Sequence, residues 1–126
     1  MHAARANLRK LSAGDGAVFA RIWALSDELA RGIADLFRRT GTAAIVQRVG
    51  PMFQILFTEE PAIWDYRQYC GHVDRRKYQR LSWALFEQGI YTSPAATLHS
   101  IVTAAHSRED VALTLAAMES ALEKIA

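Results

Sequence analysis

The side chains of this chain best suited to nucleophilic, acid–base or metal chemistry are one cysteine, four histidines and three lysines, and their spacing favours none of these chemistries. Cys70 and His72 stand two residues apart, the start of a thiolate–imidazole pair, but no third group that would orient the imidazole is identifiable beside them. His99 and His106 lie seven apart across a strand-like run and a helix start, so they share no helical face. Each reads as a satisfied structural histidine rather than a metal ligand. Lys10, Lys77 and Lys124 all fall in solvent-facing settings, whereas a Schiff-base lysine needs a desolvated or cation-flanked pocket to lower its pKa. Arg75, Arg76, Lys77 and Arg80 could meet phosphates. No aromatic platform or nucleic-acid module accompanies them, so a solvated helix face is the simpler reading. The chain has no Gly-rich phosphate loop, no Cys or His pair with metal spacing and no Gly-x-Ser-x-Gly elbow.

The elements that would position any site are clearer. Two strand-like runs, Ala43 to Val49 and Met52 to Phe57, flank a Gly50-Pro51 break and predict two strands joined by a tight turn. Around them the apolar residues step at helical intervals. Ala4, Leu8 and Leu11 predict a short opening helix, ended by the Ser12 to Gly16 turn. Val18, Ile22, Leu25, Leu29, Ile33 and Leu36 predict a long helix stopped by Gly41, with Arg38 and Arg39 suited to its negative end. That helix carries a second stripe, Phe19, Trp23, Ala30 and Phe37, to be covered either by the first helix or by something outside this sequence.

Thr58 to Val73 lacks sustained periodicity and reads as a surface excursion rich in aromatics. Asp74 caps a helix predicted through Gln88, with Tyr78, Leu81 and Leu85 inward and Gly89 at its end. Ser100 to Thr103 predicts a third strand. Ser107 and Asp110 form a capping box with Asp in place of Glu, opening a last helix with Val111, Leu115, Met118, Leu122 and Ile125 on its buried face. The predicted fold is α+β, a small antiparallel sheet of about three strands packed against helices.

At 126 residues the chain suits one domain, residues 1–126, able to bury a core without staples. Its 51% hydrophobic and 22% charged residues argue against disorder, and a net charge of +2 is too small to require a polyanion. A lone cysteine excludes an intrachain disulfide. There is no apolar run of membrane-spanning length, and Met1 to Arg5 has no signal-like apolar core, so the expected compartment is the cytoplasm, with no leader.

Three separated motifs carry a resemblance. The run Arg48-Val49-Gly50-Pro51-Met52-Phe53-Gln54-Ile55-Leu56-Phe57-Thr58, then Gln88-Gly89-Ile90-Tyr91 with Ser93-Pro94, then Ala104-Ala105-His106-Ser107-Arg108-Glu109-Asp110-Val111, resembles the C-terminal domain of class III pyridoxal-phosphate-dependent aminotransferases, closest to the glutamate-1-semialdehyde 2,1-aminomutase group. The resemblance implies the C-terminal domain fold of fold-type I enzymes and a homodimeric complete enzyme acting on a small amino-acid-like substrate. It also implies that pyridoxal phosphate is held by a large domain or companion subunit. The family's Gly-Asn-Pro motif, catalytic lysine, pyridine-pairing aspartate and phosphate-binding loop are absent from this sequence.

The expected role is therefore that of a C-terminal portion, whether an excised piece, a truncated reading frame or half of a split enzyme. It would be inactive alone and would bind no cofactor by itself. By resemblance, the loop at the substrate pocket contributes Ser93, Pro94, Thr97, Leu98 and His99. By the same resemblance Leu98 stands where the aminomutases place a glutamate and cannot exchange protons as a carboxylate would, which counts against the aminomutase reaction and leaves the choice between aminomutase and a related aminotransferase open. No arginine lies between Tyr91 and His106, so an acid substrate would be clamped from outside this chain. The alternative is a stand-alone protein-interaction or regulatory module derived from that domain. No nucleic-acid or membrane partner is expected.

Overall fold

Residues 2–126 are described by the computed structural model. Met1, at the head of the expected first helix, lies outside them. The chain opens with α1 (His2–Ser12), which buries none of its residues. The long helix α2 (Ala17–Thr40) follows, with Ile22, Leu25, Leu29, Ile33 and Leu36 buried as the apolar stripe requires. Gly41 ends it at φ 64, a left-handed turn at which its N–H donates to the Arg38 carbonyl.

The two predicted strands are β1 (Ile45–Val49) and β2 (Met52–Leu56), paired antiparallel with Gln47 opposite Gln54 and Val49 opposite Met52. Regular pairing starts two residues later than the β-branched run suggested, although the Thr58 N–H still donates to the Ala43 carbonyl at 3.1 Å. Ser100 and Ile101 form β3, which joins the other edge of β2, Met52 opposite Ile101. The expected strand to Thr103 is cut short there. The Val102 N–H turns to the Pro51 carbonyl at 3.0 Å instead.

Alternation divides the sheet into two faces. Phe53 and Ile55 are buried on one, which packs on the helices. The other carries Gln47, Val49, Met52, Gln54 and Ile101.

The turn between β1 and β2 is bolted to α2. Gly50 sits at φ 57, and its carbonyl accepts hydrogen bonds from the buried Ser26 hydroxyl at 3.1 Å and from Arg48 at 2.8 Å. The Arg48 guanidinium also meets Asp27 at 2.8 Å while only a quarter exposed. A Cβ on Gly50 would lie 3.2 Å from the Trp23 ring. This is the structural content of the Arg48-Val49-Gly50-Pro51 run.

The excursion from Thr58 to Val73 contains a helix that lack of periodicity hid. Tyr66–His72 form α3, capped by Asp65, whose carboxylate accepts from the Gln68 N–H at 2.8 Å. Gln68 in turn accepts from the Trp64 N–H. The Asp65-x-x-Gln68 spacing was the available signal, since an acceptor three residues before a Gln marks a helix start even where the helix is too short to show a stripe. The next helix, α4 (Arg75–Phe86), is capped by Asp74 and ends two residues before Gln88 in a turn.

The last helix, α5 (Arg108–Lys124), has the expected capping box. Ser107 Oγ accepts from the Asp110 N–H, and the Asp110 carboxylate accepts from the Ser107 N–H at 2.7 Å. Val111, Met118, Leu122 and Ile125 are buried, with Leu115 partly so. α5 crosses α2 closely enough that a Cβ on Gly32 would fall 2.6 Å from Leu115, and Gln88 ties α4 to it by donating to the Ala117 carbonyl at 3.1 Å.

The second stripe of α2 divides. Ala30 and Phe37 are buried, Phe37 against Phe57 with ring centroids 6.0 Å apart. Phe19 and Trp23 stay about half exposed, and α1, which buries nothing, does not cover them. The first of the two coverings left open by the sequence is therefore not the one adopted.

Candidate functional site

The helix-free face of the sheet floors a cleft of about 490 Å³, lined by Gln47, Val49, Met52, Gln54, Trp64 and His99 among others. It continues into a smaller lobe of about 320 Å³ bounded by Leu56, Ile63, Tyr69 and Thr97. Two glutamines hold the walls. Gln47 uses both ends of its amide on Ile63, donating to the carbonyl at 3.0 Å and accepting from the N–H at 2.9 Å. Gln54 donates to the Ala96 carbonyl at 2.7 Å, which fixes the loop before β3 against the sheet. Sequence reading assigned these two residues no role. Their facing positions on two paired strands, both polar among apolar neighbours, were the signal available.

The loop predicted to reach the substrate pocket is anchored at its start. Ser82 Oγ lies 2.8 Å from Thr92 Oγ1 and donates to the Ser93 carbonyl at 3.2 Å. Tyr78 shares this network, and burial raises its phenol above the ordinary value despite the hydrogen bonds from Ser82 and Thr92. Ser93 Oγ accepts from the Ala95 N–H at 3.3 Å, and the Leu98 N–H closes a turn onto the Ala95 carbonyl at 2.9 Å.

Of the five loop residues, Thr97 and His99 reach the cleft. Pro94 points elsewhere, into a small hollow of about 140 Å³ with Trp83, Phe86 and Tyr91. Leu98 lines neither lobe of the cleft and is half exposed. Ser93 serves as an anchor.

The other candidates separate. His106 accepts from the Thr103 N–H at 3.0 Å through Nδ1, a satisfied histidine as its position suggested. His72 turns to Glu60 at 3.1 Å rather than to Cys70, which is exposed. The neighbouring Cys70 thiol raises the Tyr66 phenol above its ordinary value. Lys124 pairs with Glu87 at 3.4 Å, Lys77 lies 5.5 Å over the Phe57 ring, and Lys10 projects from the exposed α1. Arg75, Arg76 and Arg80 form no ion pair among the described residues. No group of three or more His, Cys, Asp or Glu is placed to hold a metal among the described residues, and no helix is long and apolar enough to cross a membrane.

No family model matches the chain. Individual proteins do. It is 31% identical over 127 residues to a glutamate-1-semialdehyde 2,1-aminomutase of Chloroflexus aggregans, covering 99% of this chain and 29% of that protein. A protein of the same name from Chloroflexus aurantiacus is 32% identical over 123 residues, 96% of this chain and 28% of its own length. The chain thus spans under a third of the curated relatives it matches. Among solved structures, a glutamate-1-semialdehyde aminomutase from Pseudomonas aeruginosa in complex with PMP superposes with a TM-score of 0.79 at 17% identity, over 94% of this chain and 26% of that one. An omega-transaminase from Sphaerobacter thermophilus does so with a TM-score of 0.76 at 23% identity, over 93% and 26%. At these identities the structures speak for the fold. Sequence makes this chain a relative of the glutamate-1-semialdehyde 2,1-aminomutases, corresponding to a part of them, and its fold is shared with solved aminomutase and transaminase structures.

Proposed function

We propose that the chain works as the C-terminal domain of a cytoplasmic, dimeric class III aminotransferase or aminomutase-like enzyme, shaping the pocket for a small amino-acid-like substrate. The observation that carries this reading is the cleft itself. It is formed by the sheet of the Arg48-Val49-Gly50 run together with the Thr97–His99 part of the loop, in a chain that aligns along 99% of its length with an aminomutase. Gln54 and Ser82 hold the loop still, Thr97 and His99 present polar groups to the cleft, and Trp64 walls its open side.

The side chains present do not fit pyridoxal phosphate by themselves. No lysine lines either lobe, and the three lysines stand on other surfaces, as described above. The cofactor, which supplies an electron sink when bound, would be held by a companion domain or subunit. Leu98 offers no titratable group at the loop, which inclines the assignment to aminotransfer rather than to the aminomutase reaction.

The test is a titration of the purified chain with pyridoxal phosphate, followed by borohydride fixation, peptide mapping and a transamination assay. Weak labelling spread over Lys10, Lys77 and Lys124 with no turnover is expected. A saturable adduct on one lysine, or turnover free of contaminating enzyme, would overturn the reading. A second reading, a stand-alone interaction module, draws on the half-exposed Phe19 and Trp23. It requires a partner that binds this helix face and carries no pyridoxal phosphate.

A further inference from the structure

In the sequence, the arginines of α4 lack the aromatic platform that a nucleic-acid surface needs. The fold supplies one. Arg76, Arg80 and Trp83 are spaced four and three apart, so both arginines share a side of the helix with Trp83, and Phe86 lies next to Trp83 one turn on. All four side chains are exposed, Trp83 by 61% and Phe86 by 57%. Gly89, at φ 80, then turns the chain back, and the Ile90 N–H donates to the Leu85 carbonyl at 3.0 Å. This returns Tyr91, 76% exposed, to the same end of the helix. Trp83, Phe86, Tyr91 and Pro94 line one hollow of about 140 Å³. Trp83 and Phe86 meet edge to face at 6.0 Å, so the ring presenting its edge keeps both faces clear of the other.

Charge selects the occupant. Arg76 and Arg80, about 6 Å of helix apart, form no ion pair among the described residues. The acids at the two ends of α4 are engaged, Asp74 with the Lys77 N–H as N-cap and Glu87 with Lys124 at 3.4 Å. An apolar partner would leave two guanidinium groups unanswered. A simple anion would leave three rings bare. Linked phosphates carrying flat bases answer both, since bases stack on aromatic rings while arginines track the backbone.

We propose that this side of α4 binds single-stranded nucleic acid, with a base held among Trp83, Phe86 and Tyr91 and the neighbouring phosphates met by Arg80 and Arg76. The hollow shares no residue with either lobe of the cleft, so the site stands apart from the aminotransferase reading. Its size is close to that of a cavity of about 150 Å³ that accepts one benzene ring, which favours a pyrimidine there over a purine.

The test is fluorescence anisotropy of a labelled oligothymidylate of about twelve nucleotides, titrated with the purified protein at several salt concentrations. Affinity should fall steeply with salt, and the double variant Arg76→Ala/Arg80→Ala should reduce the salt slope by about 1.4. Trp83→Ala should weaken binding roughly five- to a hundredfold with the slope unchanged, and Trp83→Phe should keep most of the affinity. Arg5→Ala/Arg9→Ala, which removes the same charge from the exposed α1, should alter neither. No binding at low salt, an equal loss from both arginine pairs, or an unchanged affinity in Trp83→Ala would overturn the site. Equal affinity for a duplex of the same length, or for thymidine monophosphate, would overturn the single-stranded occupant. A polyglutamate peptide that binds as tightly, with the same dependence on Trp83, would overturn it in favour of an acidic protein segment.

Discussion

Gly50 and Tyr69 show how single residues carry the geometry of the site. Gly50 combines a left-handed backbone with a ring packed against it and a carbonyl that receives two hydrogen bonds. Replacement by alanine strains the turn and pushes on Trp23 at once. Gly50→Ala is expected to cost about 1–2 kcal/mol, read as a lowered urea midpoint with unchanged slope. Tyr69 is the reverse case. Its ring is buried under the smaller lobe of the cleft, and its hydroxyl has no hydrogen-bond partner among the described residues. Burial also raises its phenol above the ordinary value. Removing the hydroxyl relieves a desolvated group, so Tyr69→Phe should be neutral or stabilising by up to about 1 kcal/mol in the same assay.

At the scale of elements, the loop before β3 depends on hydrogen bonds from its neighbours more than on its own backbone. Gln54→Ala removes the tie to Ala96, and residues 95–99 should then exchange amide hydrogens faster while the strand amides of β1 keep their protection. Slowed or unchanged exchange in the loop would show that another contact holds it.

The start of α5 gives a pH signature. Hydrogen bonds from the Ser107 N–H and hydroxyl hold the Asp110 carboxyl below its ordinary value of 3.8. A lowered folded-state value means that the cap's contribution is fully present above the ordinary value and is lost as pH falls through the folded one. The stability difference between the natural chain and Asp110→Asn should therefore be constant from about pH 5 to pH 8 and shrink below about pH 4. A difference that grows in acid would contradict this.

Across the whole molecule the distribution of burial is uneven. One core joins α2, the sheet, α4 and α5, whereas α1 buries none of its residues. Deletion through Ala13 should change unfolding stability by less than about 1 kcal/mol and leave a single transition, because little apolar surface is removed from the core. A large loss would mean that α1 packs in solution on a surface it leaves uncovered here. Uncovered apolar side chains include Phe19 and Trp23 on α2, Val49, Met52 and Ile101 at the end of the sheet, and Trp83, Phe86 and Tyr91.

What the sequence determined by itself were the features encoded locally. The stripe from Ile22 to Leu36, the glycine stop at Gly41, the turn at Gly50-Pro51 and the Ser107–Asp110 box each depend on residues within a few positions of one another, and each stands as read. The α+β class followed from them. Three separated motifs were enough to point to the aminotransferase resemblance. The short helix at Tyr66–His72 escaped because seven residues give no period, although its cap was written in Asp65 and Gln68.

Tertiary structure alone decided what depends on distant pairs. These are Gln54 on Ala96, Gln47 on Ile63, Ser26 on the β-turn, Asp27 on Arg48, and the turning of His72 to Glu60 instead of Cys70. It also decided which half of the second stripe of α2 is buried. Helical spacing places Phe19, Trp23, Ala30 and Phe37 on one face, but only the position of the sheet relative to that face determines that the last two are covered and the first two are not.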